Sequence, residues 1–317
     1  MDDVEIVAVC DADSSKAEAF QTEFGVGKVF NRAKEMLERT PLDFVDIVTQ
    51  PESHVEMVQL AAKYRISAIC QKPLTFIPKE AREVVALCQQ RNVPLMVHEN
   101  FRWQSPMRAV KKASKQIGNL FFGRICFRSP YDVYVNQPYL AEAPRFIIAD
   151  LGVHLLDLAR FFMGEATELT CVTQQVNPNI KGEDSATILL KMESGAACVV
   201  DLSFASSADP DPFPQTFVHL EGSQGTVTLD DDYKLTVVLD GVAKKRSVNP
   251  IPLPWSCPPF HVIQESVLNT QKHWLECAKA KRTPETSGED NLKTLELVFG
   301  AYKSAERGVV YPVKKTL

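Results

Sequence analysis

The amino-acid sequence predicts a doubly wound α/β domain followed by an α+β domain with an open, mainly antiparallel sheet. Over the first hundred residues, short apolar runs alternate with helix-like segments, the pattern of βαβ units around a parallel sheet. Beyond about residue 120 the chain turns β-rich, and glycine-containing turns join neighbouring runs into hairpins, the mark of an antiparallel sheet. A length of 317 residues leaves room for two domains. We place the boundary between 1–103 and 104–317.

In chain order, residues 5–10 (EIVAVC) form a short apolar run. Residues 14–24 read as a helix, with Asp13 or Ser14 as its cap, since a short polar side chain there accepts from an unpaired first-turn N–H. Residues 44–49 (FVDIVT) are the next strand-like run. Residues 51–64 are helical, with Val55, Val58 and Ala62 on one face. Residues 67–70 form a short strand. The helix at 78–91 opens on a proline, whose missing N–H costs nothing in a first turn. Residues 94–97 give another strand.

In the second half, strands are expected at 121–133, 167–176, 185–192, 196–204, 216–221, 226–229 and 234–239. Glu193-Ser194-Gly195 and Gly222-Ser223-Gln224-Gly225 read as hairpin turns. Helices are expected at 104–117, 149–163, 261–281 and 288–307. The proline-rich stretch 249–259 (NPIPLPWSCPP) reads as a long loop over a ligand site.

The composition is that of a globular protein, and a net charge of −5 argues against nucleic-acid binding, which needs a basic face. No apolar run is long enough to span a bilayer. The acidic start Met1-Asp2-Asp3-Val4-Glu5 lacks a signal-peptide pattern, so the reading is a cytoplasmic protein. None of the eight cysteines lies within four residues of another, and each reads as a buried free thiol. The six histidines form no HxxxH or HExxH pair, so no metal site is expected.

Four places carry chemistry. Asp11 ends the first apolar run, where a carboxylate hydrogen-bonds a ribose and repels an additional phosphate; the alternative is a helix cap. Asp13 either assists it or only caps the next helix. Gly25-Val26-Gly27 contains a GxG, but it follows a helix, precedes a strand and lacks a third glycine, so it is no phosphate loop. Lys72, in Gln71-Lys72-Pro73, ends a strand and faces the ligand crevice of an open parallel sheet. Desolvation there would suit it to proton transfer, and a cis bond is an option for Pro73; the alternative is a solvated surface lysine. In residues 150–157 (DLGVHLLD), Asp150 and His154 are four apart and share a helix face that Asp157 continues. Gly152 allows close approach, and a histidine passes protons near neutral pH. The alternative is a capping Asp150 and an ordinary half-buried His154.

The order of these elements resembles the glucose–fructose oxidoreductase / inositol dehydrogenase (Gfo/Idh/MocA) family. It runs from the acid Asp11 through Gln50-Pro51-Glu52-Ser53-His54, Lys72-Pro73 and the stretch from His98 to Pro106 (HENFRWQSP) to D-x-G-x-H-x-x-D at 150–157. Ser287-Gly288-Glu289-Asp290 and Ala301-Tyr302-Lys303-Ser304-Ala305 extend the resemblance over essentially the whole chain. It implies a Rossmann-type dinucleotide-binding domain at 1–103, a substrate-binding and oligomerisation domain at 104–317, and a cleft between them. The implied activity is hydride transfer between NAD(P) and a hydroxyl-bearing carbon of a monosaccharide or related polyol, of aldose or inositol type. By the same resemblance Lys72, Asp150 and His154 are catalytic. His154 is the base in oxidation and the acid in reduction, Lys72 hydrogen-bonds the same hydroxyl, and Asp150 orients substrate and tunes Lys72. Asn100, Arg102, Tyr131 and Arg145 are implied sugar contacts. Gln50, Pro51, His54, Gln71, Lys72 and Asn100 are implied to line the cofactor, and Asp11 to favour NAD over NADP. The implied assembly is a homodimer or homotetramer through the second-domain sheet.

The sequence departs from the family pattern in two places. Gln71 stands where the family has a glutamate, which alters the tuning of Lys72 but keeps the lysine. The family's glycine-rich phosphate loop would precede residue 1. The reading therefore expects the chain to begin inside its first βαβ unit, without the first strand, leaving an unpaired gap in the sheet. That loop holds the pyrophosphate, so the alternative reading is a catalytically silent sugar-binding or regulatory protein on the same scaffold.

Overall fold

Apolar runs and periodic segments of the first hundred residues fold respectively as strands and helices in the computed structural model, which describes residues 1 and 3–314. The elements are β1 (Ala8–Cys10), α1 (Ser14–Phe24), β2 (Lys28–Phe30), α2 (Ala33–Arg39), β3 (Phe44–Ile47), α3 (Pro51–Lys63), β4 (Ser67–Gln71), α4 (Pro78–Gln90) and β5 (Leu95–His98). β1 pairs in parallel with β2, and β3, β4 and β5 form a separate parallel sheet. Among the described residues no strand joins the two sheets. The interior comes from Ala68, Ile69 and Cys70 of β4, Met96 and Val97 of β5, and the inward faces of α3 (Val58, Ala61, Ala62) and α4 (Ala81, Val84, Val85, Cys88). Each fully buried valine there contributes roughly 1.5–3 kcal/mol. Val55, expected on the same face of α3, is only half-buried.

Gly25 closes α1 in the left-handed conformation, with φ at 68°, and its N–H reaches Gln21 O. Its GxG is therefore a helix-terminating signal, which a phosphate loop would not be.

The chain divides into two units, 1–98 with 283–289 and 99–282 with 290–317. The expected boundary after 103 thus moves to His98/Glu99, and a short return segment joins the first unit. Thr286 O accepts from Val97 N at 2.8 Å, Thr286 Oγ1 donates to Val97 O at 2.8 Å, and Ser287 bridges Met96. A Cβ at Gly288 would stand 2.9 Å from Leu95 Cδ2 and 3.1 Å from Val85 Cγ2, so a side chain there would make these two side chains shift.

The second unit contains α5 (Ser105–Ser114), β6 (Leu120–Arg128), α6 (Tyr139–Glu142), α7 (Val153–Met163), β7 (Ala166–Gln174), β8 (Ser185–Met192), β9 (Ala197–Ser203), β10 (Phe217–Gly222), β11 (Gly225–Asp230), β12 (Lys234–Leu239), β13 (Val242–Ser247), α8 (His261–Ala280), α9 (Gly288–Arg307) from Asp290 onward and β14 (Tyr311–Pro312). Its nine strands form one sheet, ordered β13-β12-β11-β10-β6-β9-β8-β7-β14. Among the described residues, only β6 and β9 of this sheet are parallel neighbours. α7 is buried along almost its whole length. On β8, Ala186, Ile188, Leu190 and Met192 are buried while Thr187, Leu189 and Lys191 are exposed. One face of the sheet is therefore the core and the other is open.

Four expectations are corrected. The strand read at 121–133 ends at Arg128, and the helix read at 104–117 ends at Ser114. The helix read from 149 opens instead with a π turn at Ile148–Gly152. Five cysteines are buried, but Cys10 and Cys126 are half-buried and Cys257 is exposed.

Candidate active site

Lys72 follows directly on β4, half-buried, and its peptide bond to Pro73 is cis. The turn that carries it is held by His54, which is buried in the first turn of α3. His54 Nδ1 lies 2.8 Å from Pro73 O and Nε2 lies 3.0 Å from Thr49 O. Both ring nitrogens are thus occupied by backbone carbonyls. His54, read from the family pattern as lining the cofactor, is built as a latch between α3 and the Lys72 turn. Pro51 opens α3 and the exposed Gln50 precedes it without a capping bond. Gln71 is the last residue of β4 and pairs with His98 of β5.

Asp11 stands just past β1, its N–H on Phe30 O at 3.2 Å. Its Oδ1 accepts from Asp13 N at 2.9 Å, which fixes the carboxylate at the strand end. Asp13 itself caps α1, accepting from Ser15 N at 3.0 Å and from Ser15 Oγ. This bond to the Ser15 hydroxyl is the first cause that holds its carboxyl below the usual carboxylate range. Locally, Asp13 caps α1, and Asp11 stands at the strand end with its carboxylate held by the Asp13 N–H. An oriented carboxylate at the end of a parallel strand fits the ribose of a dinucleotide.

In the second unit, His154 lies in the first turn of α7, 5% exposed, beside the fully buried Glu99. Glu99 Oε1 contacts His154 Nδ1 and also accepts from Phe101 N at 3.4 Å. The Phe101 ring stacks on the imidazole, centroids 4.0 Å apart and planes 6° from parallel. Asp150 sits inside the π turn, half-buried, its N–H on Phe146 O at 2.9 Å. The preceding backbone is pinned: Phe146 N and Ile148 N donate to the Glu183 carboxylate at 3.2 Å each, and Ala149 N donates to Tyr302 Oη at 3.0 Å. The Tyr302 hydroxyl donates to Glu183 at 2.8 Å, and burial with that neighbour raises its pKa. The wider π turn rotates Asp150 off the simple four-residue spacing to His154 expected for a regular helix, and such bulges recur at functional sites.

The implied sugar contacts separate into two groups. Asn100 is buried and donates to Ser266 Oγ at 2.7 Å, and Tyr131 stacks on Phe213 at 3.8 Å while its hydroxyl accepts from Asn136. Arg102 and Arg145 are committed elsewhere. Arg102 forks onto Asp157, Nε to Oδ2 at 2.6 Å and Nη2 to Oδ1 at 2.5 Å, and reaches Asp290 Oδ2 at 2.9 Å. Arg160 adds bonds to Asp290, Thr294 and Glu165. Burial works against the Arg102 charge, but Asp157, Asp290 and Glu99 outweigh it and raise its pKa. Burial also raises the Asp157 carboxyl, against the pull of Arg102 and Arg160. We stand behind an ionised pair, since a lone guanidinium buried here would cost several kcal/mol (about 3–5). Arg145 is exposed, bonded to Glu306 at 2.8 Å and lying over the Tyr302 ring.

The residue that sequence reasoning missed is Glu99. It lies in the HENFRWQSP stretch, but nothing in the spacing connects it to His154, 55 residues later. Among the described residues, no group of three or more His, Cys, Asp or Glu side chains is arranged to hold a metal ion.

Residues 1–99 match the model for an oxidoreductase family with an NAD-binding Rossmann fold, and residues 107–228 match that for the GFO/IDH/MocA C-terminal domain. The chain is 47% identical over 316 residues to a D-apiose dehydrogenase of Paraburkholderia graminis, covering 99% of this chain and 84% of that protein. It is 45% identical to a D-apiose dehydrogenase of Rhizobium rhizogenes, covering 96% and 88% of the two. A crystal structure of an oxidoreductase from Agrobacterium radiobacter, in complex with NAD+, L-tartaric acid and magnesium, superposes with a TM-score of 0.95 at 44% identity, covering 97% of this chain and 90% of that one. The chain belongs to the Gfo/Idh/MocA family of oxidoreductases, enzymes built on an NAD-binding Rossmann fold.

Proposed function

We propose that this enzyme is an NAD-dependent dehydrogenase of a monosaccharide, with D-apiose the first substrate to test. The observation that carries the reading is the buried His154, held through one ring nitrogen by Glu99 and preceded by Asp150 on a pinned π turn. His154 takes the proton of the reacting hydroxyl in oxidation and returns it in reduction. Lys72 hydrogen-bonds that oxygen, and Asp150 orients the sugar. The bound nicotinamide would accept the hydride, leaving a carbonyl on the substrate. Asp11 would hold the adenosine ribose and disfavour NADP by its charge. Asn100 and Tyr131 are the proposed polar and aromatic sugar contacts.

A homo-oligomer through the open face of the nine-stranded sheet is part of the proposal, because Val172 and Leu189 stand exposed there. So is a cytoplasmic setting: the eight free cysteines suit a reducing compartment. The first test is NADH formation by the purified chain over a sugar panel that includes D-apiose. Turnover that survives Lys72→Ala and His154→Asn unchanged contradicts the reading.

A further inference from the structure

The contact between Glu99 and His154 has a consequence for the chemistry of the imidazole. A neutral imidazole donates through one nitrogen and accepts through the other, and its partner decides which. Glu99 Oε1 faces Nδ1, and the carboxylate has no exposed surface. A buried carboxylate accepts, so Nδ1 carries the hydrogen and Nε2 carries the lone pair. Two further contacts remove alternatives to this arrangement. Phe101 N–H fixes the same carboxylate oxygen at 3.4 Å. The Phe101 ring, stacked at 4.0 Å with planes 6° from parallel, packs on one face of the imidazole and holds its plane. Asn100, between them in sequence, is tied to Ser266 of α8, which anchors the whole Glu99–Phe101 segment.

We propose that Glu99 is the positioning residue of this enzyme: it fixes the His154 tautomer, makes Nε2 the proton-exchanging atom, and raises the basicity of the ring. The inference rests on the role given above to His154. Glu99 itself moves no proton and touches no reacting atom. During oxidation Nε2 accepts the hydroxyl proton, and the resulting imidazolium is stabilised by the adjacent carboxylate, which stays ionised. During reduction the same proton returns from Nε2.

Arg102 and Asp157 interact electrostatically with Glu99. The further charged groups on the neighbouring elements are Asp150 on the π turn, Arg160 on α7, Glu265 on α8 and Asp290 on α9. They remain in place in a Glu99→Gln variant, which keeps the shape and removes one charge. The difference between wild type and variant therefore isolates Glu99.

The test has two arms on the full chain. In the first, kcat, KM and the pH profile of kcat/KM for sugar oxidation are compared for wild type, Glu99→Gln and His154→Asn. We expect Glu99→Gln to lower kcat by roughly 10²-fold or more with little change in KM. We also expect it to move the limb that reports His154 to lower pH by about one unit or more, because the imidazolium loses its counter-charge. In the second arm, long-range proton–nitrogen NMR of the histidines reads the tautomer and titration of His154 without any turnover. Wild type should show the Nδ1–H form, and Glu99→Gln a mixed form with a lower pKa. An unchanged pH limb together with unchanged nitrogen shifts overturns the proposal, even with kcat reduced, since a purely structural role predicts that result. Full turnover from His154→Asn would instead overturn the role of His154, and the NMR arm would still decide what Glu99 does to the ring.

Discussion

Asp157 Oδ2 stands 2.6 Å from Arg102 Nε, in an ion cluster where Arg160 and Asp290 also meet. Both side chains are buried, so neither can fall back on water if the other is lost. Asp157→Asn and Arg102→Met should each destabilise the protein by about 3–5 kcal/mol, read from urea unfolding. The double substitution Asp157→Asn/Arg102→Met should cost less than the sum of the single changes. Additive losses would mean that the pair is not coupled.

Glu165 gives the acid limb of stability. Burial alone would raise its pKa, but the fork from Arg160 and the charge of Lys293 lower it. A carboxylate whose folded pKa is depressed contributes stability that is present above its unfolded pKa, near 4.5, and lost as the pH falls through the folded value. The melting temperature should therefore fall below about pH 4.5, and Glu165→Gln should flatten that fall. An identical acid profile in wild type and variant would rule out this contribution.

The Asp11 carboxylate is oriented at the end of β1 and carries the choice of cofactor in the proposed function. Asp11→Ser should raise the ratio of NADP to NAD efficiency by roughly tenfold or more, equivalent to about 1.4 kcal/mol or more. An unchanged ratio would move the selectivity to another residue.

Thiol chemistry checks the placement of the cysteines. Cys257 is exposed, whereas Cys70, Cys171 and Cys198 are buried, and burial pushes Cys171 and Cys198 up to about 12. A disulfide reagent should modify Cys257 first in the native protein, and Cys257→Ser should remove that fast phase.

Much of the fold was legible because burial writes a pattern into sequence. β8 alternates from Ala186 to Met192, and α4 presents Ala81, Val84, Val85 and Cys88 on one face. β13 was missed because all six of its residues are exposed, so Val-Ala-Lys-Lys-Arg-Ser shows no alternation. Its only signal is the Asp240-Gly241 turn, with φ of 50° and 74°, the primed geometry favoured in two-residue hairpins. β14, two residues long, carries no pattern at all. At the site, Asp150 and His154 could be picked out together because they lie four residues apart, although the structure puts them in successive elements, the π turn and α7. Glu99 was not, because its contact with His154 is made by tertiary packing of two distant segments. The assignments of Arg102 and His54 failed to anticipate their partners for the same reason: Asp290 and Pro73 reach them through the fold rather than along the chain.

In the proposed function Lys72 and His154 serve one hydride-transfer reaction on a sugar hydroxyl. It is tested most directly by initial rates of NAD reduction over a panel of monosaccharides and cyclitols, with wild type, Lys72→Ala and His154→Asn in parallel. We expect turnover of a monosaccharide by wild type and a loss of kcat/KM of roughly 10²–10⁴-fold in each variant, with folding unchanged. Wild-type turnover in either variant, or NADH binding without turnover of any sugar, would contradict it.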